Sequence, residues 1–447
     1  LVTVLTQQDN VRFHTVKILT DFDRTGERLS TVSSLYFGEN KKISHPEEVT
    51  YLVQEITRWR AYLDGVIDSI YRGKYSKVEH ILKNILRLGA YELIFRNQIP
   101  DYAVVNEAVK LTRQLASEKA SGLTNAVLRK LLKVDYPEPG VVLQTKNPAT
   151  LAEATSHPQW MVKRWLKRYG FEETLKLCKW NNQIPSFTVW MNWVRVETVQ
   201  WEETVTSLGI DWSKSQVIRN LYHINSLSSL FQSEGYRKGW FTVQDTSAAL
   251  IGMLVGNNLG IQLLDVCCAP GGKTAALAVN LGDSVSILAS DYDEKRVIKV
   301  LETLERLRIT NVTVKVKDAT KDDYPVSDVI LIDAPCTGTG VLSKRADLRW
   351  RRTIENLMEM QSLQLEILRH MSNFVAPNGR IIYSTCSMEP EENWDVIDML
   401  LEIRNDFKVV RPEKTELLPF LDERGAILTF PPRDGMDGVF GVILQKC

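Results

Sequence analysis

Residues 263–274, LLDVCCAPGGKT, leave few folds open. An apolar run of strand length passes directly into Pro270-Gly271-Gly272-Lys273-Thr274. Adjacent glycines let a backbone approach a ligand closely and present amide N–H groups at a helix start. A phosphate-binding P-loop is excluded, because that motif needs a glycine where Cys267 stands. A strict GxGxxG fingerprint is absent too. Taken alone, the turn is also compatible with a plain strand-to-helix connection.

The surrounding texture narrows the reading. Strand patterns fall at IQLLDV (261–266), VSILAS (285–290), VTVKV (312–316), VILI (329–332), RIIYS (380–384) and VFGVILQ (439–445). Helical patterns lie between most of them, notably EKRVIKVLETLERLRI and IENLMEMQSLQLEILRHMSNFV. This alternation predicts an α/β fold with a doubly wound, mostly parallel sheet whose last strand is a candidate antiparallel addition. Such sheets bind ligands outside the carboxyl ends of their strands. Asp291, Asp318 and Asp333 follow the second, third and fourth strands. One acid there reads as a helix cap or a solvated loop residue. Three in series behind a Gly-rich first turn favour a nucleoside-bearing cofactor, whose ribose hydroxyls can donate to a carboxylate.

Two cysteines fall at the same edge. Cys336 lies in IDAPCTGTG after the fourth strand, and Cys386 in YSTCSMEPEEN after the fifth. A lone cysteine is usually a small buried hydrophobe. Here both sit near Asp333, Ser384, Thr385 and Ser387, where local dipoles or a neighbouring base can activate a thiol. Spacing leaves open which one is the nucleophile. The six cysteines form no CxxC pair, so neither a disulfide scaffold nor a metal site is expected, and a reducing cytosol is.

The rest of the chain is mainly helical and carries two basic clusters. Residues 1–140 predict a helical bundle; in TYLVQEITRWRAYLDGVIDSIY, Leu52, Ile56, Trp59, Leu63, Val66, Ile67 and Ile70 make one apolar face. YPEPGVV and Pro148 mark a linker over 141–156. A small α/β subdomain follows over 157–240, with a helix PQWMVKRWLKRYG carrying Lys163, Arg164, Lys167 and Arg168 and a strand in SFTVWMNWVRV. The sheet domain occupies 241–447. Within it, SKRADLRWRR (343–352) carries Lys344, Arg345, Arg349, Arg351 and Arg352 around Trp350, with Asp347 as its one acid. Basic faces with aromatics suit phosphates and stacked single-stranded bases, although either cluster alone is equally a solvated helix face. Lys+Arg and Asp+Glu both total 55, which excludes a uniformly basic coat. No apolar run reaches the roughly 18 residues of a membrane span. The opening LVTVLTQQDNVRF lacks the regions of a secretory signal.

CCAPGGKT, DAPCTGTG and STCSMEPEEN together resemble the signature motifs of the RNA cytosine-C5 methyltransferases, which use S-adenosylmethionine. SHPQWMVKRW, GWFTVQDTSAALIGMLV and GMDGVFGVILQK are similar to that family's flanking segments. RLGAYELIFRNQIPDYAVVNEAVKLTR and SGLTNAVLRKLL look like a NusB-type RNA-binding domain, a fusion found in bacterial 16S rRNA methyltransferases of this family. The resemblance implies a class I, Rossmann-like methyltransferase domain behind an all-α NusB-like bundle and a small α/β subdomain. It further implies that Cys267, Cys268, Ala269, Pro270, Gly271, Gly272 and Lys273 wrap the methionine part of the cofactor. Asp291 would hold its ribose, Asp318 its adenine edge, and Asp333 would face both cofactor and target base. Cys386 would be the nucleophile and Cys336 would assist product release. Cys268 departs from the family, which usually has Ala there. The implied partner is small-subunit rRNA, free or partly assembled, acted on by a monomer with no obligate protein partner and no membrane. A tRNA or large-subunit rRNA substrate, or a non-catalytic antitermination factor, are the competing readings.

Overall fold

The structure, a computed structural model, describes residues 10–141, 147–256, 262–282 and 285–447. Parts of the expected linker and first strand, and most of the opening segment, lie outside the described residues. The chain divides into two compact units: residues 1–183 with 342–351, and residues 184–341 with 352–447.

The first unit is helical. Its opening bundle comprises Val11–Thr25, Leu29–Glu39, Pro46–Arg58, Arg60–Ile70, His80–Phe95, Asp101–Leu115 and Glu118–Leu131. The apolar face read from TYLVQEITRWRAYLDGVIDSIY is buried at all seven positions. Yet the segment is two helices rather than one, broken at Trp59, where φ is −93° and ψ 12°. A periodic apolar face survives such a break because burial, not helix continuity, selects it. Pro148–Ala154 is a helix within the expected linker, and Gln159–Asn182 is a long helix kinked at Gly170, whose φ is 75°.

Three helix ends in this unit share one cation. The buried Arg349 guanidinium donates to the carbonyls of Arg58 (3.3 Å), Ser156 (3.0 Å) and Asn181 (2.5 Å), and to Asn182 Oδ1 (2.7 Å). Helix C-terminal carbonyls have no intrahelical donors and carry partial negative charge, so a guanidinium fork satisfies several at once. Trp350 Nε1 donates to Thr57 O at 2.7 Å, and Arg351 Nε to Gly26 O at 3.0 Å.

The second unit holds two sheets. The strands are β1 Phe187–Met191, β2 Trp212–Lys214, β3 Leu221–Ile224, β4 Phe241–Val243, β5 Gln262–Asp265, β6 Ser286–Asp291, β7 Val312–Val316, β8 Ser327–Asp333, β9 Val375–Thr385, β10 Phe407–Val410, β11 Ile427–Leu428 and β12 Phe440–Lys446. The smaller sheet is antiparallel, in the order β2-β3-β1-β4, over a core of Val189, Met191, Trp201, Tyr222 and Phe241. The larger runs β10-β12-β9-β8-β5-β6-β7, with β11 paired to β12. β5 through β9 are parallel, and β12 is antiparallel to both neighbours. β10 and β11 were not foreseen from sequence; both are short, four and two residues.

Successive residues of the central strands bury on opposite faces, Leu263 and Leu331 against the helices Thr246–Leu254 and Gly272–Leu281, Leu264 and Ile330 against Ile354–Met371. β5 pairs with β6 on one side and β8 on the other, so the chain reverses winding there. The carboxyl ends of β5 and β8 therefore open the crevice in which such sheets bind ligands.

Candidate active site

β5 ends at Asp265, and the Val266–Gly271 turn delivers the chain to the helix starting at Gly272. Gly271 has φ +97°, and a Cβ there would meet Val300 Cγ1 at 3.1 Å, so the turn needs its glycine. Asp265 is buried. Its Oδ2 accepts from Thr274 Oγ1 at 2.6 Å, while Oδ1 has no partner among the described residues. Burial pushes its carboxyl up to about 7, against the Thr274 hydrogen bond, with Asp333 adding to the rise.

Asp291, at the end of β6, fastens this turn. It accepts from Ala269 N (3.3 Å), Asp293 N (3.2 Å) and Arg296 Nη1 (3.2 Å), while Arg296 Nη2 donates to Ala269 O at 2.8 Å. Burial raises its carboxyl despite Arg296. Asp318, past β7, accepts from Thr320 N and Oγ1 at 3.0 and 2.7 Å, bonds that hold it below the usual carboxylate range. Asp333, at the end of β8, accepts from Lys273 Nζ at 2.7 Å and Ser384 Oγ at 2.9 Å. Burial would lower the Lys273 ammonium, but Asp333 outweighs it and the net shift is upward.

The thiols of Cys336 and Cys386 meet, Sγ to Sγ, at 3.1 Å. Gly340 N donates to Cys386 O at 3.0 Å, tying the loop after β8 to the loop after β9. The contact with Cys386, followed by burial, pushes the Cys336 thiol well up; either sulfur can donate across the 3.1 Å contact. Burial also pushes the Cys267 and Cys268 thiols far up, and Cys178 up to about 12. Burial thus disfavours the thiolate form in all three. The Lys273 ammonium interacts favourably with a Cys386 thiolate.

The expected RNA contacts divide. Lys163, Lys167 and Arg168 are exposed, and Arg164 is half-buried. Arg345 is exposed and Lys344 partly so. Arg349 is 1% exposed and holds helix ends, which corrects its reading as an RNA contact: a side chain bonded to four protein oxygens has no face for phosphate. Arg351 donates to Gly26 O, and Arg352 to Thr337 O (3.0 Å) and Cys336 O (3.3 Å). Two residues escaped the sequence reading. Asp265 stood within LLDVCCAPGGKT and Glu392 within STCSMEPEEN, segments singled out as motifs without a role for either residue. Only burial marks them out.

The sheet order, the glycine turn after its first parallel strand and the acids at successive strand ends define a Rossmann-like methyltransferase. A family model described as 16S rRNA methyltransferase RsmB/F matches residues 254–445, a NusB family model residues 9–133, and an RsmF/B-like ferredoxin-like domain residues 157–225. The chain is 30% identical to a probable ribosomal RNA small subunit methyltransferase B of Synechocystis over 89% of its length and 90% of the relative's. It is 29% identical to the ribosomal RNA small subunit methyltransferase B of Photorhabdus laumondii, over 98% and 99%. The crystal structure of PH0851 shares the fold, with a TM-score of 0.81 at 22% identity, covering 98% of this chain and 99% of that one. This chain belongs to the ribosomal RNA small subunit methyltransferase B family and is an enzyme of it.

Proposed function

We propose that the chain methylates C5 of a cytosine in 16S rRNA, using S-adenosylmethionine, with Cys386 as nucleophile. The observation that carries this reading is the Cys336–Cys386 sulfur pair beside the Lys273–Asp333 ion pair at the carboxyl edge of the sheet.

The residues present fit the cofactor. The Cys267–Lys273 turn relies on the positive φ of Gly271, whose Cβ would crowd Val300, and Asp291, Asp318 and Asp333 stand at or just past the ends of the flanking strands. These residues would hold it. When bound, its sulfonium supplies an electrophilic methyl group.

Cytosine C5 is a poor nucleophile because the ring is aromatic. Cys386 overcomes this by adding its sulfur to C6; the proton it gives up ends at N3, and the C5 carbon becomes enamine-like. Asp333 accepts the N3–H hydrogen bond and stabilises the adduct, with Lys273 fixing the carboxylate. Once C5 carries the methyl group, the C5 proton passes to solvent water, its electrons re-form the C5–C6 double bond and expel the Cys386 sulfur, and the N3 proton returns to that sulfur. Cys336 assists its departure, a role supported by the 3.1 Å separation of the two sulfurs. A stacked base cannot be attacked at C6, so the target is a loop or flipped nucleotide.

The NusB-like helices and the basic helix with Lys163, Lys167 and Arg168 suit RNA, either free or in a partly assembled small subunit. We take the enzyme to be a cytoplasmic monomer; among the described residues no helix is long and apolar enough to cross a membrane. The test uses small-subunit RNA bearing 5-fluorocytosine. Wild type should form a denaturation-resistant protein–RNA conjugate and Cys386→Ala none. Normal methylation by Cys386→Ala defeats the reading. Parallel reactions with tRNA and large-subunit rRNA decide the substrate class.

A further inference from the structure

The residue following each cysteine donates to one buried carboxylate. Thr337, after Cys336, donates its backbone N–H to Glu392 Oε1 at 2.7 Å and its hydroxyl to Oε2. Ser387, after Cys386, donates its hydroxyl to the same Oε2. Gln364 Nε2 donates both to Glu392 Oε1 (3.0 Å) and to the carbonyl of Pro335 (2.8 Å), the residue before Cys336. Glu392 is itself anchored: Tyr383 OH donates to its carbonyl at 2.8 Å, and the adjacent Asn393 donates to Ser387 O at 3.0 Å. It is fully buried.

A carboxylate is a costly group to bury and is tolerated only when its lone pairs are filled by donors. Four donors from three segments fill this one. Two of those segments carry the thiols, so the carboxylate fixes the spacing of the two cysteine turns rather than the core at large. A hydroxyl or an apolar side chain could fill the space but could not accept from both turns.

We propose that Glu392 is a positioning residue that sets the Cys336 turn against the Cys386 turn, so that both sulfurs serve one reacting base. The assignment rests on the reading of Cys386 as nucleophile and Cys336 as its release partner. Glu392 touches neither substrate nor cofactor and acts through Thr337 and Ser387. In Glu392→Gln the volume is kept, but an NH2 group faces a hydroxyl or amide that formerly donated.

The test reads the spacing without RNA. Diamide, a diazene oxidant, accepts two electrons and two protons from the two thiols, leaving a Cys336–Cys386 disulfide and a hydrazine. The rate is followed in the full chain by mass spectrometry of the linked peptides. Glu392 lies close enough to disfavour ionisation of Cys336 electrostatically. Removing its charge alone would therefore speed thiol oxidation, whereas displaced turns slow it. Glu392→Gln should oxidise about tenfold more slowly than wild type, and its kcat should fall by a similar factor or more while KM for S-adenosylmethionine stays within about twofold. An oxidation rate equal to or faster than wild type overturns the proposal, as does an unchanged kcat. If Glu392→Gln is insoluble, Thr337→Val and Ser387→Ala each remove one donor, and both should slow oxidation; wild-type rates in both overturn it. Should Cys386→Ala prove active, the nucleophile assignment fails, but the oxidation rates still judge Glu392.

Discussion

Lys273 Nζ sits 2.7 Å from Asp333 Oδ2, joining the first turn of the helix after β5 to the last residue of β8. The pair spans the point where the sheet reverses its winding, so it ties the glycine turn after β5 to the edge that carries both thiols. Asp333→Asn leaves the half-buried ammonium without its counter-charge. Because both side chains retain some exposure, the stability loss should be about 1–3 kcal/mol, below that of a fully buried pair. Methyl transfer should fall at least about 100-fold, through loss of the adduct-stabilising acceptor. Urea midpoints and single-turnover methylation check the two effects separately.

Asp265 gives the protein a pH-dependent liability. Its folded-state value of about 7 lies above the ordinary 3.8, so the folded chain keeps a proton that the unfolded chain releases. The stability this contributes is full below about pH 4 and is lost as pH rises toward 7, up to roughly 4 kcal/mol. Asp265→Asn should match wild type near about pH 3.5 and exceed it near about pH 8, flattening the slope between them. Thermal denaturation across that range measures it. Parallel slopes for both proteins would show that Asp265 titrates normally.

Gly340 is a packing requirement of the thiol pair. A Cβ at this position would strike the Gly438 carbonyl oxygen and lie 2.9 Å from Cys386 O. Both obstacles are backbone, which cannot swing aside as a side chain can. Gly340→Ala should cost about 1–3 kcal/mol and slow formation of the fluorocytosine conjugate, since relief must move the Cys386 loop. Denaturant unfolding and the conjugation rate are the measurements.

Arg349 and Lys167 should separate structure from RNA contact. Arg349→Met orphans the carbonyls at three helix ends and should destabilise the first unit by about 2–4 kcal/mol. It should leave the salt dependence of RNA binding unchanged. Lys167→Ala should leave stability unchanged and reduce the logarithmic salt slope by about 1 if it meets a phosphate. A salt slope that fell with Arg349→Met would return that residue to the RNA contacts.

Much of the sheet was legible in the linear chain. The runs at 285–290, 312–316 and 439–445 are strands to within about a residue or two at each end, and the acids and thiols do stand where the strands stop. That information is local: side-chain period and the glycine turn depend on neighbours a few residues away. The buried face at Leu52–Ile70 was readable for the same reason, whereas the break at Trp59 was not.

The amino-acid order by itself determined the kind of fold and the edge of the sheet where chemistry sits. Only the tertiary structure decided what each polar group does there. Arg349 bonds to a carbonyl 291 residues away, and Glu392 to an amide 55 residues away, so identical residue types became a helix-end clasp and a thiol clamp rather than solvated charges. A charge's role is set by the desolvation it suffers and the donors or acceptors folding brings to it, and neither quantity exists until distant segments meet.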